Sequence, residues 1–189
     1  MLGPADPLPH VPRRVLVAGN TGAGKSTLSR RISDVLGLRY VELDALYHGP
    51  QWTPRPSFEA DVLAFTSGPR WVTEWQYKQV RPLLLERADT LVWLDHTLLA
   101  VMRRLLMRTV RRRAARAELW NGNSEPPLWT VFTDPEHLLR WGWKGYGRNR
   151  RRVRAVQERI VVVRLRGQRQ VEKWLSGPLS VVAGEERAR

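Results

Sequence analysis

Gly19-Asn20-Thr21-Gly22-Ala23-Gly24-Lys25-Ser26 matches G-x-x-x-x-G-K-[ST] at every fixed position, and it constrains this chain more than any other segment. Such a loop requires a strand before it and a helix after it. Val15 to Ala18 is a short, largely β-branched run that ends at a glycine, and Leu28, Ile32, Val35 and Leu36 recur at helical spacing until Gly37 stops them. Glycines let backbone N–H groups turn inward around phosphate oxygens, where the helix N-terminus adds its partial positive charge. The motif therefore predicts that residues Gly19, Asn20, Thr21, Gly22, Ala23, Gly24, Lys25, Ser26 and Thr27 cradle ATP. Lys25 is a mobile charge on the phosphates and Ser26 a ligand for Mg²⁺. Only four of the 32 basic residues are lysines, and one of them holds this position, as expected where a compact ammonium is needed rather than a planar fork. The bland alternative is an ordinary glycine-rich turn between strand and helix.

The rest of the chain repeats the strand–helix alternation. Strands are expected at Tyr40 to Leu43, Trp71 to Glu74, Thr90 to Leu94 and Ile160 to Leu165. Between them lie helical segments at Ser57 to Phe65, Val80 to Arg87, about Leu98 to Glu118, and about Asp134 to Gln157 with a break near Gly145 and Gly147. Gln168 to Leu175 closes the series. This order implies an α/β fold of three layers, with parallel strands joined by right-handed crossovers and helices on both faces of the sheet. One domain over residues 13–176 is expected, with a proline-rich flexible arm at 1–12 and a flexible tail at 177–189.

Composition narrows the classes further. With 42% hydrophobic residues and 26% charged, the chain is neither collagen-like nor wholly disordered. No apolar stretch approaches the roughly 18 residues of a membrane helix, and prolines stand where a signal peptide would be apolar, so a cytoplasmic protein without a membrane partner is expected. Cysteine is absent, which removes disulfides, thiolate metal sites and thiol nucleophiles. The net charge of +14 is concentrated in residues 103–116, which hold seven arginines, and residues 144–154, which hold Lys144 and five arginines. Basic patches of this kind suit phosphate in any form.

In an open parallel sheet ligands sit beyond the carboxyl ends of the strands, so acidic residues there are candidates for chemistry. Glu42 and Asp44 stand at the end of the second strand, two apart and thus on one side of an extended chain. Glu74 ends the third, followed by Gln76, Tyr77 and Lys78. Asp95 ends Leu91-Val92-Trp93-Leu94, in the form of a Walker B strand. Asp44 is the candidate to position an acceptor and take its proton. For each of these carboxylates a capping or solvated role is the alternative.

LDALYHGPQWTP, WVTEWQY, RPLLLERADTLVWLD, RRLLMRTVRRR, ELWNGNSEPP and FTDPEHLLRWGW together resemble the bacterial P-loop kinases of the adenylate kinase-like, or DNA topology modulation, family. The resemblance runs from about residue 13 to 176. It implies the nucleoside monophosphate kinase and shikimate kinase fold, with sheet order 2-3-1-4-5 and phosphoryl transfer from Mg-ATP to a nucleotide- or nucleoside-like acceptor. It also implies that Glu74 lies near the Mg²⁺ water shell, that Arg81 meets a substrate phosphate and that Tyr77 stands in the acceptor pocket. About Arg108 to Asn123 would form an arginine-rich lid, and the loop Leu165-Arg166-Gly167-Gln168-Arg169 would lie over the adenine, with Arg166 stacked on it.

Along the helix after the fourth strand, Arg104, Arg108 and Arg111 fall within about 60° of one another, away from Leu98, Met102, Leu105 and Leu106. Arg104, Arg108 and Arg112 are the candidates to neutralise the transferring phosphoryl group; a solvated arginine face is the alternative. The second run, Arg148 to Arg154 after Trp141, Trp143 and Tyr146, has two readings. Aromatics beside arginines suit single-stranded nucleic acid, which supports a nucleotide-switched DNA- or RNA-binding protein. Alternatively the tryptophans pack and the arginines coat them, one or two reaching the active site.

Overall fold

A computed structural model describes residues 1–114 and 138–188. Five parallel strands form one sheet in the order β2-β3-β1-β4-β5: β1 (Arg14–Gly19), β2 (Arg39–Tyr40), β3 (Trp71–Glu74), β4 (Thr90–Leu94) and β5 (Val161–Leu165). The helices are α1 (Lys25–Leu36), α2 (Leu43–Tyr47), α3 (Phe58–Thr66), α4 (Arg81–Arg87), α5 (Leu98–Ala114), α6 (Leu138–Val156), α7 (Gln168–Trp174) and α8 (Ser180–Arg187). No helix among the described residues is long and apolar enough to cross a membrane.

Burial on both faces explains why the strands read as unbroken apolar runs. Val15 and Val17 of β1 pack with Leu28 and Ile32 of α1 and Val171 and Trp174 of α7. Leu16 and Ala18 point the other way, into Val62 of α3, Leu84 of α4 and Val153 and Val156 of α6. The middle strand is thus buried between two helical layers, and its carboxyl end delivers the phosphate loop to the sheet's edge. Gly19 is paired with Leu94 there, and Val17 with Glu74.

Four expectations are corrected. The second strand ends at Tyr40, and Leu43–Tyr47 forms a short helix with Glu42 at its N-cap. Glu42 and Asp44 therefore do not share one side of an extended chain: Glu42 pairs with Arg30 at 3.2 Å and Asp44 faces the third strand's loop. The break near Gly145 and Gly147 is absent, since α6 runs through both glycines. The N-terminal arm is docked: Leu2 bridges Val163 in parallel, donating to Val162 O at 2.7 Å and accepting from Arg164 N at 2.8 Å, while Leu8 and Val11 pack on the core. The C-terminal tail continues as α8 after a turn at Pro178. It is held by buried Val182 and Ala183 and by Glu186, which pairs with Arg70 at 2.7 Å and Arg13 at 3.2 Å.

Candidate active site

The phosphate loop leaves β1 at Gly19 and enters α1 at Lys25. Gly22 and Gly24 adopt the left-handed conformation at φ 81° and 94°, which side chains disfavour. A Cβ on Gly19 would lie 3.1 Å from Leu94 Cβ and 3.2 Å from Ala23 Cβ, so a side chain where β1 turns past β4 requires these neighbours to give by a few tenths of an ångström. The helix has no side-chain cap. N–H groups at a helix N-terminus carry partial positive charge that suits phosphate oxygens. Lys25 Nζ donates to Asn20 O at 3.3 Å, which folds the ammonium back across the loop.

Glu74 stands at the end of β3, next to this loop, and is 1% exposed. Tyr40 Oη donates to Glu74 Oε1 at 2.8 Å, and Oε2 is buried with no hydrogen bond. Burial raises the Glu74 pKa above the ordinary carboxylate value, with Asp44 adding to it, while the Tyr40 hydroxyl, the Lys25 charge and the Ser26 hydroxyl oppose. The same burial, with Glu74 beside it, pushes the Tyr40 phenol well up, so it remains a donor. Lys25, Ser26, Tyr40, Asp44 and Glu74 thus act on one another electrostatically at one edge of the sheet. Thr27 is exposed one residue beyond.

Asp44 is held from the other side. Tyr77 Oη donates to Asp44 Oδ1 at 2.6 Å and Gln76 Nε2 donates to the same oxygen at 2.7 Å. Tyr77 is a non-glycine residue at φ 57°. Such backbone is costly and persists only where its surroundings enforce it. Here they are a ring cluster: Tyr47 lies 4.2 Å from Tyr77 between centroids and Phe58 5.1 Å, with His48 Nε2 3.3 Å from the Tyr77 hydroxyl. Burial and Asp44 push the Tyr77 phenol up, so it too stays protonated.

Arg81 opens α4 beside a groove of about 630 Å³ lined by Trp75, Lys78, Leu85, Arg152 and Arg159. Its Nε is buried without a hydrogen bond, and burial together with Arg152 lowers the pKa of its guanidinium. Arg104 Nη1 donates to Ala23 O at 3.3 Å and Nη2 to Gln168 Oε1 at 3.3 Å, linking α5 to the phosphate loop and to α7. The side chains of Arg108 and Arg112, and the lid expected from Arg108 to Asn123 beyond Ala114, lie outside the described residues. Arg166 is largely exposed, its Nε 3.7 Å from Asp95 Oδ2.

Asp95 is committed to arginines. Arg150 Nε donates to Oδ1 at 2.7 Å, and Arg164 donates to Oδ2 through Nε at 2.8 Å and through Nη2. The Walker B resemblance therefore ends in an ion cluster. The second basic run divides along α6: Asn149, Val153 and Val156 are buried, Arg150 reaches Asp95 and Arg152 reaches the groove, while Arg148, Arg151 and Arg154 are exposed. Sequence reading missed Tyr40, His48 and Arg164 as parts of these clusters, and left open which arginines of 148–154 turn inward. Arg164 alone carried a signal, as a lone charge within an apolar strand.

No family model matches the chain, and no curated protein matches it. Solved structures do. A gluconokinase from Sinorhizobium meliloti 1021 is 18% identical, with 95% of this chain and 98% of that one covered and a TM-score of 0.53. A shikimate kinase from Bacteroides thetaiotaomicron is 12% identical, with 87% and 95% covered and a TM-score of 0.53. The fold is that of P-loop kinases.

Proposed function

We propose that the chain is an ATP-dependent small-molecule kinase, adenylate kinase-like, that passes the γ-phosphoryl group of Mg-ATP to a nucleotide- or nucleoside-like acceptor. The observation that carries this reading is a pair of carboxylates, buried Glu74 and half-buried Asp44, that act electrostatically on each other beside a phosphate loop with Lys25 and Ser26. Glu74 has one buried oxygen without a hydrogen bond, and Asp44 is braced by Tyr77 and Gln76.

Lys25 holds the β- and γ-phosphates. Ser26 and Glu74 fit Mg²⁺, a hard cation that keeps several waters and takes few protein oxygens. When bound, the ion would neutralise charge developing on the phosphates. Asp44 accepts a hydrogen bond from the acceptor hydroxyl and takes its proton as that oxygen attacks the γ-phosphorus and the bond to the departing ADP oxygen breaks. Two donors on Oδ1 leave Oδ2 for the acceptor. Arg81 and Arg152 lie close enough to act on each other in the groove, which Glu86 also lines, and they seat an anionic group of the acceptor, with Trp75 and Tyr77 near its flat part. Arg104 stands on the phosphate loop, where it screens the γ-phosphoryl group; Arg108, Arg112 and the lid are proposed to close from the same helix, and Arg166 to cover the adenine.

Purified protein incubated with Mg-ATP and a panel of nucleoside monophosphates, nucleosides and sugar acids tests this. Acceptor-dependent ADP release that Lys25→Ala abolishes is expected. Release from no acceptor, or release indifferent to Lys25→Ala, would refute it.

A further inference from the structure

Among the described residues, three that are not glycine hold a positive φ: Gln51 at 56°, Trp52 at 59° and Tyr77 at 57°. Such backbone is costly and persists only where the surroundings enforce it. Two of the three meet at one side chain. The Tyr77 hydroxyl lies 3.3 Å from His48 Nε2, and the Trp52 ring stands edge-on to the imidazole at 5.0 Å between centroids. The turn that carries Gln51 and Trp52 is closed behind the ring: His48 bridges Pro54 in antiparallel fashion, Gly49 N donates to Thr53 O at 2.7 Å, and Arg55 N donates to Tyr47 O at 2.8 Å. From the other direction His48 N donates to Asp44 O at 3.0 Å, one helical turn back, and the Tyr47 ring lies 4.9 Å from the imidazole. The imidazole is therefore held from several sides.

Proton accounting gives this contact a direction. Tyr77 Oη has one proton, and burial together with Asp44 keeps it on the phenol. That proton is committed to Asp44 Oδ1 at 2.6 Å. A hydroxyl whose proton is spent takes part in a further hydrogen bond only as an acceptor. His48 must therefore present Nε2–H. The three side chains form one line of donors, Nε2–H to Oη and O–H to Oδ1, and bonds polarised in one sense strengthen one another.

We propose that His48 is a positioning residue for the base: its Nε2–H fixes the Tyr77 hydroxyl with the proton toward Asp44, which keeps Oδ1 occupied and leaves Oδ2 to the acceptor. This rests on the kinase reading above, in which Asp44 takes the acceptor's proton. Without the imidazole donor, the hydroxyl is held by Asp44 alone and the carboxylate loses part of its brace. A role in packing alone would depend on the ring of His48 and not on its N–H.

Two variants of the full chain separate the donor from the ring. His48→Phe keeps an aromatic ring for Tyr47 and Trp52 and removes the donor, whereas His48→Gln removes the ring and keeps an amide N–H for Tyr77. ADP release is measured with the most active member of a panel of nucleoside monophosphates, nucleosides and sugar acids. In His48→Phe, kcat/KM for that acceptor is expected to fall about 3- to 10-fold, as for one hydrogen bond between neutral groups, with the calorimetric ATP Kd unmoved. His48→Gln should recover most of the loss. The double variant with Tyr77→Phe should be no slower than Tyr77→Phe alone, because His48 acts through that hydroxyl. In the wild type, a long-range ¹H–¹⁵N spectrum of the imidazole should show a proton on Nε2, a readout that needs no variant to fold. The reverse order, with Gln slower than Phe, is the mark of packing and overturns the proposal. A wild-type chain that transfers to no acceptor overturns the kinase reading and this inference with it, whereas wild-type transfer that His48→Phe leaves undiminished, or a bare Nε2, overturns this inference alone.

Discussion

Glu74→Gln separates what this residue does for the fold from what it does for the site. In the free protein the carboxylate is 1% exposed, with one hydrogen bond from Tyr40 and one oxygen unbonded. A buried polar atom left unpaired costs about 1–3 kcal/mol, and a charged one more. Burial has raised its pKa above the ordinary 4.5. The folded protein therefore holds that proton more tightly than the unfolded chain, and wild-type stability falls as pH rises through the window from the unfolded value to the raised folded one. Glutamine has no proton to lose and keeps an oxygen for Tyr40. In EDTA at about pH 8, Glu74→Gln should be about 1 kcal/mol more stable than the wild type, a rise in Tm of about 2–4 °C for a chain of this size. The difference should shrink toward zero at about pH 4. Phosphoryl transfer should fall by about 10² or more, as for loss of a charge that stabilises the transition state. Thermal melts across pH and an ADP-release assay measure the two effects. A variant less stable than wild type at every pH, with transfer undiminished, would refute the reasoning.

Other perturbations give sharp outcomes. Tyr77→Phe removes a 2.6 Å donor to Asp44 and leaves Gln76; loss of a hydrogen bond to a charged group, about 1.5–3 kcal/mol, should lower kcat/KM for the acceptor by 10- to 100-fold with the ATP Kd unmoved in a calorimetric titration. Gly19→Ala should destabilise by about 1–3 kcal/mol and weaken ATP binding, because the new methyl group meets Leu94 and Ala23 at 3.1 and 3.2 Å; unchanged melting and binding would contradict this close approach. Burial, with Arg104 beside it, lowers the His96 pKa from 6.5 against the weaker pull of the Ala23 backbone and Asp95. The bond from Gly167 N to Nδ1 therefore contributes fully above about pH 6.5 and is lost as pH falls through the lowered folded value. The His96 ring should titrate below 6.5 by NMR, with Gly167 amide exchange accelerating in step, and a titration above 6.5 would refute that environment.

What could be read in advance was local. The phosphate loop declares itself in eight consecutive residues, and Glu74 and Asp44 follow from asking which acids end a parallel strand. Asp44 reads as the end of an extended strand, however, because Val41-Glu42-Leu43-Asp44 alternates apolar and acidic, and the helix Leu43–Tyr47 is too short to show a period of its own. Asp95 resembles a Walker B carboxylate because its strand is apolar; its partners, Arg150, Arg164 and Arg166, are 55 to 71 positions away, and of these only Arg164, a lone charge in an apolar strand, is marked locally. Tyr40 and Glu74 meet only because β2 and β3 are neighbours in the sheet. Gly145 and Gly147 weaken a helix by about 1 kcal/mol each, which the packing of α6 on the sheet overrides.

The central claim is that Lys25, Asp44 and Glu74 serve one phosphoryl transfer. Mass spectrometry of the acceptor panel after incubation with Mg-ATP tests it most directly. An acceptor should gain one phosphoryl group in the presence of the wild-type chain, and none in the presence of Lys25→Ala or Asp44→Asn. A wild-type chain that binds ATP yet phosphorylates nothing in the panel, or an Asp44→Asn chain as fast as wild type, would contradict the account.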